Sequence, residues 1–192
     1  MIKSGKAPYV PPEDLELTVG KLKGPNARRN RVALYFSHYL GLRAKELAAL
    51  KISDVYDAKR GKIKETIRLL AAYTKGQKFR EVFLVNDQAI DYLKTYLYAE
   101  RCGSSPEAPL FMSQKGGHFN NKSMARMMNI LYKQAGVNAS SHSGRRSFAT
   151  HLIRKNVDIH SVQQLMGHSS IQTTQEYFAT DPNKLRDAMG KL

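Results

Sequence analysis

Four short strings carry most of the side chains able to do chemistry: GLRAKEL at 41–47, TKGQKFR at 74–80, SHSGRRS at 141–147 and MGHSSIQTTQEYF at 166–178. They supply Arg43 with Glu46 three residues on, Lys75, His142 with Arg145 three residues on, and His168 with Tyr177 nine residues on. No GxxxxGK[ST] string, no second cysteine and no run of paired acids accompanies them, which argues against phosphate-loop, zinc and two-metal chemistry. The pattern suits an anion held by cations while a hydroxyl attacks it. A phosphodiester under attack gathers negative charge on its non-bridging oxygens, and guanidiniums stay charged at any working pH and grip such oxygens through paired N–H bonds. A nucleophile must attack and an acid must protonate the departing oxygen. Arginines, one or two histidines, a lysine and a phenol cover those roles.

Each string alone also has an ordinary reading. His142 and Arg145 fit a surface pair at a helix start, with Ser141 as candidate N-cap. Arg43 and Glu46 fit a helical ion pair worth a few tenths of a kcal/mol. Lys75 and Lys78 fit a solvated turn, and Tyr177 is one of 10 tyrosines. A phenol with its usual pKa of about 10 is a poor nucleophile at neutral pH, and clustered positive charge would favour its phenolate.

The elements that must position these groups can be read from periodicity. Pro12 opens a helix with Glu13 and Asp14 in its first turn and Leu15, Val19 and Leu22 on one face, until Gly24-Pro25 breaks it. Helices follow over about 26–40, with Val32, Phe36 and Tyr39 or Leu40 inward, and over 43–50. From there to Val85 the pattern favours strands: ISDVYD, IKETIRLLAAY and REVFLV, the last two joined by the TKGQKF hairpin. Helical spacing returns over 87–101, and again where Met124, Met127, Met128, Leu131 and Ala135 form a core stripe. Short helices then span about 142–155, 158–166, 171–179 and 183–190. Residues 1–11, with Pro8 and Pro11, read as an extended, poorly ordered tether. The expectation is one α+β domain, mostly helical, with a small antiparallel sheet.

Composition narrows the partner. The 192 residues hold 31 Lys and Arg against 16 Asp and Glu, a formal charge of +15. Residues 108–157 contain no acid at all, yet carry Lys115, Lys122, Arg126, Lys133, Arg145, Arg146, Arg154 and Lys155. A long stretch of one sign suits a phosphate backbone, where each neutralised phosphate releases counterions. The single Cys102 permits no internal disulfide, and neither a signal-like nor a membrane-length apolar run occurs. A cytoplasmic protein is expected.

Taken in order, GLR with Glu46 three residues on, the KGxKxR hairpin, HxxR, and GH followed nine residues later by Tyr177 resemble the tyrosine recombinase (phage integrase) family over about Pro12 to the C-terminus. The resemblance implies a mostly helical catalytic domain over 12–192 that cuts and rejoins double-stranded DNA without cofactor or metal. It implies that Arg43 and Arg145 clamp the scissile phosphate and that Tyr177 attacks it to form a 3′-phosphotyrosyl link. Lys75 would protonate the leaving 5′-oxygen, His142 and His168 would support phenol and phosphate, and Glu46 would fix Arg43. Charge and placement further suggest that Lys78, Arg80, Lys122, Arg126 and Arg146 hold the DNA backbone. Leu185, Met189 and Leu192 give the tail an apolar face, which in the family docks on a neighbouring protomer and links four subunits around DNA. The free chain could be a monomer.

Two departures stand out. Arg146 occupies a position often His in the family, and Gly144 replaces a commoner apolar residue. Most members also carry a separate N-terminal DNA-clamping domain, which is expected to be absent here. That implies either an excised catalytic fragment or a short member of the size of the fimbrial phase-variation inversion enzymes, more dependent on accessory DNA-bending proteins. A type IB topoisomerase-like relaxing activity and a non-catalytic DNA-binding regulator of the same fold are the alternative readings.

Overall fold

A computed structural model describes residues 7–69, 79–114, 116–178, 186 and 189–190. Its elements run α1 (Pro12–Gly20), α2 (Ala27–Tyr39), α3 (Ala44–Ala49), α4 (Ile52–Val55), β1 (Tyr56–Asp57), β2 (Lys62–Ile63), β3 (Thr66–Leu69), β4 (Arg80–Phe83), α5 (Asp87–Glu100), α6 (Asn121–Ala135), α7 (Ser143–Arg154), α8 (Ile159–Met166) and α9 (Ile171–Phe178). The mostly helical α+β reading holds. None of the described helices is long and apolar enough to cross a membrane.

Helix α2 is the axis of the molecule. Every residue from Val32 to His38 is buried, the signature of a helix surrounded by others rather than lying on a surface. Around it α1, α3, α5, α6 and the strands close one apolar core, in which the α6 stripe contributes Met124, Met128, Leu131 and Ala135. A second, smaller core forms from Ala149, Ile153, Val162 and Met166, with Phe148, Leu152, Tyr177 and Phe178 packed on it. Helix α7 joins the two cores by packing against α2. Gly144 is what allows this: a β-carbon there would sit 2.5 Å from Ser37 Oγ and 2.9 Å from His38 Cδ2. The glycine that departs from the family pattern is therefore a close-packing residue.

The strand region differs from expectation. Among the described residues are two separate two-stranded antiparallel ladders: β1 with β2, where Tyr56 faces Ile63, and β3 with β4, where Thr66 faces Phe83 and Leu69 faces Arg80. ISDV, expected as strand, is a single helical turn. The Asp54 carboxylate accepts from the Lys51 amide at 2.8 Å, and loop carbonyls of Pro106 and Ala108 take the amides of Ser53 and Ile52. The expected long strand IKETIRLLAAY is split at Lys64-Glu65 between the two ladders, and its end, with the expected TKGQKF turn up to Lys78, lies outside the described residues.

The N-terminal segment also departs from expectation. Residues 7–11 are extended but held, not loose: Val10 is fully buried and its amide donates to Ser147 Oγ at 2.9 Å. Tyr9 lies against α7, with its hydroxyl 3.0 Å from His151 Nε2 and 3.0 Å from Arg154 Nη1.

Candidate active site

The site lies where the two cores meet. Three guanidiniums reach it from three elements. Arg43 stands at the N-cap of α3, where its backbone amide donates to Glu46 Oε2 at 2.7 Å and its Nη1 donates to Glu46 Oε1 at 2.8 Å. Arg145 comes from the first turn of α7. It is 5% exposed, and its fork donates to the Gly41 carbonyl at 2.5 Å and to the Met166 carbonyl. Arg80 opens β4; its Nη2 donates to Glu46 Oε2 at 2.6 Å and its Nη1 to the Leu165 carbonyl at 2.7 Å. The Arg43 side chain, 24% exposed, is the most open of these ion-paired groups.

Turn geometry supplies the acceptors. Helix α8 ends on Gly167 at φ +59°, a left-handed conformation natural to glycine, so its carbonyl turns back to accept from Arg43 Nη2 at 3.3 Å. A β-carbon at Gly167 would lie 2.5 Å from Arg80 Cδ, so the residue also makes room for that side chain. The next residue is His168. Its Nδ1 is 2.9 Å from the hydroxyl of fully buried Thr174. Thr174 and Tyr177 are three apart on α9 and so share a face. The Tyr177 ring stacks on His168 with centroids 5.9 Å apart and planes at 17°, and the Arg146 guanidinium lies 5.8 Å over the same phenol ring.

The electrostatics follow from three cations around one carboxylate. Burial first, then Arg43 and Arg80, lowers Arg145 to about 9, and burial lowers Arg80 to about 10; both remain protonated at neutral pH. Burial, then the charges of Arg145, Arg43 and Arg80, pushes His168 down to about 4, so its imidazole is neutral at pH 7. Among the described groups, three guanidiniums surround one carboxylate, a positive excess that favours an anion.

Two predictions arise from this. Glu46→Gln leaves two guanidiniums, Arg43 and Arg80, without their shared counter-charge and costs about 3–5 kcal/mol, read as a fall in the denaturant midpoint. The second concerns acid. His168 and His38, the latter held at about 3 chiefly by burial, have folded pKa values below the unfolded value near 6.5. The unfolded chain therefore binds more protons, so stability is full above about pH 6.5 and falls as pH drops towards 4. The slope is at most about 1.4 kcal/mol per pH unit for His38, and less for partly exposed His168. Thermal melts between pH 4 and 7 should show it, and His38→Gln should flatten the slope.

The expected residues are distributed unevenly. Arg43, Glu46, Arg145, His168 and Tyr177 come together. His142 is exposed at the N-cap of α7, one turn before Arg145, in place of the expected Ser141 cap, and its Nδ1 lies 3.4 Å from Ser141 Oγ. Lys122 and Arg126 are exposed on α6, and farther along that helix Asn129 accepts from the Ser141 amide, so α6 runs up to the N-terminus of α7. Lys75 and Lys78 fall outside the described residues. One expectation is corrected. Arg80, expected on the DNA backbone, is 6% exposed and committed to Glu46 and Leu165. Strand alternation with buried Val82 and Leu84 carries that signal in the sequence. Arg146, expected to hold DNA, is half-buried with its guanidinium 5.8 Å over the Tyr177 ring. Thr174 was missed; its signal is the i, i+3 spacing to Tyr177.

The sequence profile described as "Phage integrase family" matches residues 9–184. The chain belongs to the phage integrase family. Among its family relatives, the tyrosine recombinase XerC of Myxococcus xanthus is 34% identical over 193 residues, covering 92% of this chain and 61% of that protein. XerC of Pelobacter propionicus is 32% identical over 165 residues, covering 85% of this chain and 51% of that protein. The chain thus spans about half to three fifths of the length of these relatives. In three dimensions it resembles the XerA recombinase, with a TM-score of 0.75 at 26% identity over 98% of this chain and 65% of the other. It is equally similar to the XerH site-specific recombinase in a post-cleavage complex with a palindromic difH substrate, at a TM-score of 0.75 and 27% identity over 98% of this chain and 54% of the other.

Proposed function

We propose that this chain is the catalytic domain of a site-specific tyrosine recombinase, spanning residues 12–192, that cleaves and rejoins double-stranded DNA. The observation that carries the proposal is the convergence of Arg43, Arg145 and His168 on one positively charged pocket with the Tyr177 phenol stacked at its edge. The Tyr177 oxygen attacks phosphorus, the bond from phosphorus to the 5′-oxygen breaks, and the phenolic proton is lost. The leaving 5′-oxygen takes a proton, for which Lys75 is the candidate donor. The reverse reaction with another strand's 5′-hydroxyl restores Tyr177 and joins the new partner. The phosphotyrosyl ester conserves the bond energy, so no nucleotide is consumed.

The residues present divide this work. The guanidiniums neutralise charge that grows on the non-bridging oxygens in the transition state. Arg146 over the phenol favours the phenolate. Neutral His168 offers its Nε2 to the phosphate or the phenol while Thr174 occupies Nδ1. Lys122 and Arg126 follow the backbone of the duplex. XerH in complex with difH supports DNA as substrate, and the apolar spacing of Leu185, Met189 and Leu192 supports tail exchange among four subunits, with accessory DNA-bending proteins aiding assembly.

The experiment is selection of detergent-stable complexes from a library of nicked duplexes with randomised arms. The reading predicts a recurrent sequence joined through its 3′ phosphate to Tyr177, identified by peptide mass, and strand exchange with a second duplex carrying that sequence. Recovery of bound but never covalently joined DNA would contradict it. Plasmid relaxation without sequence preference or exchange would also contradict it.

A further inference from the structure

We propose that Arg80 is a positioning residue that sets the Arg43 guanidinium at the phosphate site, and the inference rests on the recombinase reading above. Arg80 is buried, unlike the exposed Arg68 of β3. It is held from both ends of its fork, with Nη2 on Glu46 and Nη1 on the Leu165 carbonyl in the last turn of α8. Glu46 is fully buried and is shared: one oxygen takes Arg43 Nη1, and the other takes both the Arg43 amide and Arg80. The carboxylate can therefore orient Arg43 only from the position in which Arg80 holds it. The same side chain fills the space that Gly167 leaves open, so β4, α3 and the Gly167–His168 turn meet on one guanidinium.

A purely structural role explains this poorly. Arg80 is buried, and its Nε–H has no hydrogen-bond partner, which is an unfavourable arrangement for stability alone. A packed apolar side chain at this strand position would avoid both penalties. What it could not do is fix a carboxylate that in turn fixes a cation. Arg80 also opens β4, five residues after Lys75 in the chain.

The test is single-turnover cleavage of the selected nicked duplex by Arg80→Met, Arg80→Lys, Arg43→Ala and the double variant Arg43→Ala/Arg80→Met. Arg80→Met should lower the rate of adduct formation about 10²-fold, the scale of a misplaced reacting group, with DNA affinity changed less than about threefold. Arg80→Lys, which keeps a cation near Glu46 but cannot span to Leu165, should recover about a tenth of the wild-type rate. In the Arg43→Ala background the Arg80 substitution should cost little more, because its effect passes through Arg43. Multiplicative losses in the double variant, or a wild-type rate in Arg80→Met, would overturn the inference while leaving the recombinase reading intact. If Arg80→Met fails to fold in thermal melts, the Arg80→Lys pair in the two backgrounds reads the same coupling. A wild-type chain that forms no adduct would overturn both.

Discussion

Tyr177→Phe should bind DNA as the parent does and form no covalent adduct. The substitution removes one oxygen and leaves the ring, which is the part that stacks on His168 and lies under Arg146. The ring contacts are kept, so the variant should melt as a folded protein. The chemical step has no substitute nucleophile in this account, so the loss should be on the order of 10⁶-fold, the scale observed when the nucleophile of an enzyme is deleted. Gel shift and adduct yield, measured on the same duplex, separate the two effects. An adduct formed by the variant would place the nucleophile elsewhere on the chain.

Arg145→Ala should have the next largest effect and a different character. The side chain is buried, and its fork closes on the Gly41 and Met166 carbonyls. Truncation leaves both acceptors without it, at about 1–3 kcal/mol each if they stay dry. Part of that is offset, because Arg43 and Arg80 lose a repelling neighbour. Stability should therefore fall moderately while cleavage falls by about 10²–10³-fold, the range for removal of one donor to developing anionic charge. Arg145→Lys keeps the charge but not the planar fork, and belongs between the two. Melting curves run beside single-turnover rates establish that the rate is read on folded protein.

Much of this arrangement was legible in the sequence because it is local. Arg43 with Glu46 and His142 with Arg145 are pairs at i, i+3, and helical spacing brings each pair to one face without knowledge of the fold. The apolar stripes of α1, α2 and α6 were legible for the same reason. What was not legible depends on packing between distant segments. The ISDV turn is helical because Asp54 caps it and a loop some fifty residues later receives its amides. Gly144 reads as a costly glycine in a first helical turn until α2 is seen pressed against it. Tyr9 and Val10 read as a tether because nothing in a proline-flanked segment announces Ser147 and His151 as partners. Arg80 reads as a surface cation from composition alone, whereas strand alternation, with Val82 and Leu84 on the same side, points it inward.

The claim underlying the whole account is that the guanidiniums act on the charge of the phosphate that Tyr177 attacks. Replacing one non-bridging oxygen of that phosphate by a methyl group makes the group neutral without moving the reacting atoms. Single-turnover cleavage by the parent and by Arg145→Ala should then be compared on the phosphate and on the methylphosphonate. The account predicts a penalty of about 10²–10³-fold on the phosphate and less than about tenfold on the neutral substrate. An equal penalty on both would contradict it, because Arg145 would then be serving something other than that charge.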